Sequence, residues 1–195
     1  LIYEKIPKAK IVIILRNPID RAYSHYLMLY GRGVLKTPFE QIILDSKKIS
    51  HDDFSGRVIN AGFYSEQIKR YFEVFPKNQI KILIFEEFIK NTKESVGNIL
   101  DFLDIDDEPP DSTNTIYNQF TEPRGGISSS ILKNKIIKNV GKQFLPMSVG
   151  ESMMKNILGK KAIKPKLSEK MYESLENIYR KDIIKVETIL DRKVS

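Results

Sequence analysis

The sequence predicts an α/β fold, a parallel sheet flanked by helices, on three observations. Two continuous β-branched apolar runs, Ile11 to Leu15 and Ile80 to Phe85, have the character of parallel strands buried on both faces. Helical patterns lie between them, and a long amphipathic pattern from about Ser168 closes the chain. Strands alternating with helices give a sheet whose crossovers are helical.

Each element has its local reason. After the first run, Asn17 suits an N-cap, Pro18 the first helical position and Asp20 the positive helix end. In Thr37-Pro38-Phe39-Glu40, Thr is expected to cap, Pro to open the helix and Glu to complete a capping box. The next helix places Tyr64, Ile68, Tyr71, Phe72 and Phe75 on one face. Beyond the second run, Thr92 is expected to cap a helix burying Val96, Ile99, Leu100 and Leu103, with Pro109-Pro110 barring its continuation. In the last helix Met171, Leu175, Ile178 and Val186 face the core.

The chain has 195 residues, enough for one ordinary domain with a real core. It has no cysteine, which excludes thiol catalysis and Cys-ligated zinc and favours a reducing compartment, so a cytoplasmic location is expected. No stretch approaches a membrane span of about 20 apolar residues, and Leu1 to Lys5 do not resemble a signal peptide. The net charge of +7 is unevenly spread. Residues 1–123 carry 16 basic and 18 acidic side chains, 167–195 carry 6 and 6, and 124–166 carry 10 basic residues against Glu151 alone. That basic segment fits an anionic partner: polysaccharide, headgroup or nucleotide. A solvated lysine-rich surface accounts for it equally well. Its single aromatic, Phe144, makes nucleic acid an unfavoured partner, because single-strand binders stack bases on several rings.

Chemistry is most legible from Leu15 to Tyr26. The expected strand-to-helix turn falls at the carboxyl end of a parallel strand, where ligands of α/β sheets bind. Arg16 leaves the strand into that crevice and Ser24 follows about two helical turns on. A guanidinium fork and a hydroxyl converging there make a phosphate clamp. By spacing alone, an Arg paired with a nearby carboxylate and a Ser bonded within its own helix fit as well.

The pattern Arg16-x-Pro18-x-x-Arg21-x-x-Ser24-x-Tyr26 after an apolar strand resembles the 3′-phosphate-binding motif of sulfotransferases that use 3′-phosphoadenosine 5′-phosphosulfate (PAPS). The resemblance is best from Lys10 to Tyr30. It continues through Gly62-Phe63-Tyr64 to Phe75-Pro76, Ile80 to Phe88, Asn98 to Ile105, and the last helix to Arg192. It implies a P-loop-NTPase-like sulfotransferase fold over residues 1–195, a single domain holding the basic segment 124–166. It implies Arg16 and Ser24 as ligands of the nucleotide 3′-phosphate, with Pro123-Arg124-Gly125-Gly126 as a late loop closing on the same phosphate through Arg124 and the amides of Gly125 and Gly126. Phe85 resembles a position where some members place an aromatic near the adenine, with ordinary core as the preferred reading of the residue itself.

The resemblance also implies in-line transfer of a sulfuryl group to a hydroxyl or amine, with a nucleotide donor, no metal, and an acceptor that is an anionic glycan or a small molecule. The family's P-loop-like segment and its catalytic base precede this motif, and no G-x-x-x-x-G-K occurs here, so the chain is expected to be N-terminally truncated and its base to lie upstream of Leu1. Neither His25, about 100 degrees around the helix from Ser24, nor His51 beside Asp52 and Asp53 is assigned as base or metal ligand. Two other readings stay open: a non-catalytic nucleotide-binding remnant, and a kinase-like P-loop protein.

Overall fold

The structure is a computed structural model that describes residues 2–46, 53–110 and 165–194. In chain order the elements are α1 (Ile2–Lys5), β1 (Ile11–Leu15), α2 (Pro18–Gly31), α3 (Phe39–Leu44), α4 (Phe54–Asn60), α5 (Ser65–Val74), β2 (Ile80–Ile84), α6 (Phe85–Lys90), α7 (Thr92–Leu103) and α8 (Glu169–Leu190). The two apolar runs are the strands, and they pair in parallel, Ile11 opposite Ile80 through Leu15 opposite Ile84. The chain crosses between them through α2 to α5, as the alternating pattern requires.

The strands are less covered than their composition predicts. Leu15 and Ile84 are buried, but Ile14 is 48% exposed and the remaining strand residues are half-buried. Each strand pairs only with the other among the described residues, so each keeps an open edge.

Two apolar clusters hold the helices. One joins α2, α3, α4 and α8 around Tyr26, Phe39, Ile42, Val58, Leu175 and Tyr179. The other packs Leu15 and Ile84 of the sheet against Ile68 of α5 and Val186 of α8. Because α8 contributes to both, it ties the helical layer to the strand ends. Its inward face includes the predicted Leu175 and Val186, with Met171 and Ile178 half-buried. The deeply buried Tyr179 belongs there too, a polar-tipped residue that the apolar pattern passed over.

Side chains cap α2, as its sequence predicts, and also α8. The Asn17 side chain accepts from the N–H groups of Ile19 at 3.0 Å and Asp20 at 3.4 Å, and Ser168 Oγ accepts from Met171 N–H at 3.4 Å. Elsewhere the ends differ. α3 has Pro38 at its N-cap without a side-chain bond, so Thr37 does not cap it. Asn91 stands at the N-cap of α7 and Thr92 is its first residue. α7 stops well before Pro109: Asp104 turns left-handed (φ 57°), and Ile105 N–H returns to the Leu100 carbonyl at 3.0 Å. Its expected core face of Val96, Ile99, Leu100 and Leu103 is half-buried rather than buried.

Candidate phosphate-binding site

The pairing of β1 with β2 carries past the strand ends and builds the site. With Leu15 opposite Ile84, the next residues, Arg16 and Phe85, emerge side by side, followed by Asn17 and Glu86. The Arg16 guanidinium accordingly lies over the Phe85 ring, 5.0 Å from its centroid. Asn17 N–H donates to Glu86 Oε1 at 3.1 Å. Phe85 thus opens α6 rather than ending a strand, and its ring supports Arg16.

Arg16 is half-buried, and its Nε is buried without a hydrogen-bond partner among the described residues. No described carboxylate forms an ion pair with it. Among the described residues, then, the ordinary alternative for this arginine, a bridge to a neighbouring acid, is not made. A buried donor on a charged fork is costly unless an acceptor arrives. Ser24 sits on α2, half-buried, on the same strand-to-helix unit. Arg124, Gly125 and Gly126 lie outside the described residues, as does His51.

Behind Arg16 is a polar network that the sequence did not reveal. Tyr64 Oη donates to the Arg16 carbonyl at 3.0 Å. Burial raises the Tyr64 pKa, against the opposing pull of the Arg21 charge, so the hydroxyl keeps its proton. Asp182 of α8 accepts from the backbone N–H of Tyr64 at 2.7 Å and from Ser65 through both its N–H and its hydroxyl. Arg21 is the central residue of the sequence motif. It reaches the Val58 carbonyl at the end of α4 and the hydroxyl of Tyr179, which itself donates to the Ile59 carbonyl at 2.8 Å. Arg21 is thus a strut between α2, α4 and α8, suited to a helix end rich in free carbonyls.

A cavity of about 10 Å³ beneath Arg16, lined also by Tyr64, Asp182 and Val186, has room for one water and no more. His25 is half-buried on α2, and burial followed by the nearby Arg21 charge lowers its pKa. Among the described residues no group of three or more His, Asp or Glu side chains is placed to hold a metal ion, and no helix is long and apolar enough to cross a membrane.

The signal for this network was present but not decodable. Tyr64 and Asp182 are 118 residues apart, and nothing in the period of α5 or α8 marks which polar residue on one meets the other.

Comparisons with known proteins converge on one family. The profile of the sulfotransferase domain matches residues 3–187. The bifunctional heparan sulfate N-deacetylase/N-sulfotransferase 2 of Homo sapiens is 32% identical over 105 residues, 51% of this chain and 12% of that protein. Carbohydrate sulfotransferase 15 of Mus musculus is 24% identical over 116 residues, covering 51% of this chain and 21% of its own length. The crystal structure of a sulfotransferase from Alicyclobacillus acidocaldarius superposes with a TM-score of 0.61 at 21% identity, over 98% of this chain and 58% of that one. The matched region is thus a minor part of these curated relatives and little more than half of the solved enzyme. With the profile spanning nearly the whole sequence, the chain belongs to the sulfotransferase domain family.

Proposed function

We propose that this chain, as a single domain over residues 1–195, binds the 3′-phosphate end of PAPS in a protein that transfers the sulfuryl group to a hydroxyl or amine. The observation that carries the reading is Arg16: a guanidinium at the carboxyl end of β1, backed by the Phe85 ring, with an Nε that is buried and unpaired among the described residues. Those features fit a phosphate, whose oxygens accept paired charge-assisted bonds from an arginine fork. Ser24 is the second ligand in this reading, and Arg124 with the Gly125 and Gly126 amides a third group closing from the far side.

PAPS supplies the activated sulfuryl group. The chain's own residues bind and orient the nucleotide: Arg16 holds the phosphate, and the α2 N-terminus places positive dipole nearby. The acceptor proton passes to a base that neither His25 nor His51 is assigned to supply. A glycan acceptor is supported by relatives named for heparan sulfate and carbohydrate substrates and by the basic segment 124–166. The cysteine-free composition supports a cytoplasmic location.

Calorimetry with 3′-phosphoadenosine 5′-phosphate (PAP) against ADP tests the site. PAP is expected to bind more tightly, and Arg16→Ala to erase most of the difference, about tenfold or more for a bond to a charged group. Equal affinity for the two nucleotides, or an unchanged preference in Arg16→Ala, would overturn the assignment.

A further inference from the structure

Arg16 can grip a phosphate only if its Cα–Cβ bond points outward, and that direction is set by one peptide unit. The Arg16–Asn17 peptide is held at both ends by side chains from two other elements. Its oxygen accepts from Tyr64 Oη at 3.0 Å, and its N–H, carried by Asn17, donates to Glu86 Oε1 at 3.1 Å. Because the peptide is planar, pinning both ends fixes its orientation, and with it the backbone angles on either side.

Each clamp is itself held. The Tyr64 N–H is anchored on Asp182 of α8, and Glu86 is carried in the first turn of α6, directly after β2. Glu86 Oε2 is buried without a hydrogen-bond partner among the described residues, where the carboxylate's one bond is the one it accepts from Asn17 N–H. Core packing alone gives no reason to bury a carboxylate there.

We propose that Tyr64 and Glu86 are positioning residues, which clamp the Arg16–Asn17 peptide and thereby aim the Arg16 guanidinium at the nucleotide 3′-phosphate. The inference rests on the phosphate-binding reading of Arg16. Neither side chain touches the nucleotide in this arrangement, so their effect is confined to ligands that carry the 3′-phosphate.

The test is the affinity for PAP and for ADP in Tyr64→Phe, Glu86→Ala, Glu86→Gln and Arg16→Ala, with the thermal midpoint of each. Tyr64→Phe is expected to weaken PAP binding about fivefold, the worth of one neutral hydrogen bond, and Glu86→Ala about tenfold, because its acceptor is charged; both leave ADP binding unchanged. Glu86→Gln keeps an oxygen to accept from Asn17 and removes a negative charge near the phosphate. It is expected to bind PAP at least as well as the wild type.

Wild-type PAP affinity in Tyr64→Phe and Glu86→Ala, alongside a loss in Arg16→Ala, would overturn the clamp and leave the phosphate site standing. Parallel losses of PAP and ADP with a lowered midpoint would mark a merely structural role and overturn it too. An unchanged nucleotide preference in Arg16→Ala would remove the phosphate site itself, and the clamp with it. Should Glu86→Ala fail to fold, Tyr64→Phe, which deletes one hydroxyl, decides alone.

Discussion

Gly62 lies against the ring of Tyr179, so close that a Cβ at position 62 would stand 2.8 Å from Tyr179 Cε1 and 2.9 Å from Cζ and Oη. The ring cannot yield cheaply. It is fully buried, packs on Phe63 with centroids 5.2 Å apart, and is tethered through its hydroxyl to the Ile59 carbonyl. Gly62→Ala is therefore expected to cost about 1–3 kcal/mol, the usual penalty for overpacking a fixed core. Urea unfolding measures it; a midpoint equal to the wild type would mean that the ring has somewhere else to go.

The same tyrosine gives the fold an alkaline limit. Burial pushes the Tyr179 pKa up from 10 to about 12, only partly countered by Arg21. The folded state thus holds the phenolic proton more firmly than the unfolded one. Its contribution is complete below pH 10 and is lost as pH rises from 10 toward 12, because the unfolded chain ionises first. Over that span the loss is about 2–3 kcal/mol for a shift of this size. Tyr179→Phe removes both the buried hydroxyl bond and this slope. Its stability should lie about 1 kcal/mol or more below wild type at pH 8, with a shallower fall above pH 10. If both proteins lose stability in parallel between pH 10 and 12, Tyr179 is not the group responsible.

How far the sequence foretold these features depended on the distance over which each is determined. The strands, but for Phe85 at the end of the second, the Asn17 cap and the start of α8 are fixed by neighbours a few residues apart, and stand where the sequence places them. Arg16 and Ser24 were singled out by motif, and the structure sets both on the strand-to-helix unit that the motif implies. The meeting of Arg16 with Phe85, and of Asn17 with Glu86, depends on the register of two strands 69 residues apart. No local pattern encodes that register. Asp104 ends α7 ahead of the prolines expected to bar it, because a single residue tolerant of the left-handed conformation can stop a helix and leaves little trace in composition.

Asp182 and Ser65 should be strongly coupled. The carboxylate receives the Ser65 N–H, the Ser65 hydroxyl and the Tyr64 N–H, so a residue of α8 caps the N-terminus of α5. Asp182→Ala is expected to cost about 2–3 kcal/mol, since it strips a charged acceptor from buried donors, and Ser65→Ala about 1 kcal/mol. In a double-mutant cycle the pair should fall short of the sum by at least about 0.5 kcal/mol. Strict additivity would show that the two groups are stabilised independently. Asp182→Asn, which retains an acceptor oxygen, should recover part of the loss.

Phe85 separates two accounts of the nucleotide site. If the ring meets the adenine, Phe85→Leu weakens PAP and ADP equally, because both carry the base. In the structure the ring underlies Arg16 at 5.0 Å. Removing its π-face should then loosen the guanidinium and weaken PAP alone, by about two- to tenfold for a contact worth roughly 0.5–1 kcal/mol or somewhat more when desolvated. Phe85→Tyr keeps the face and should retain the preference for PAP. Titrating the three proteins with both nucleotides decides the matter. A uniform loss across PAP and ADP in Phe85→Leu would return the ring to the base and leave Arg16 supported by its backbone alone.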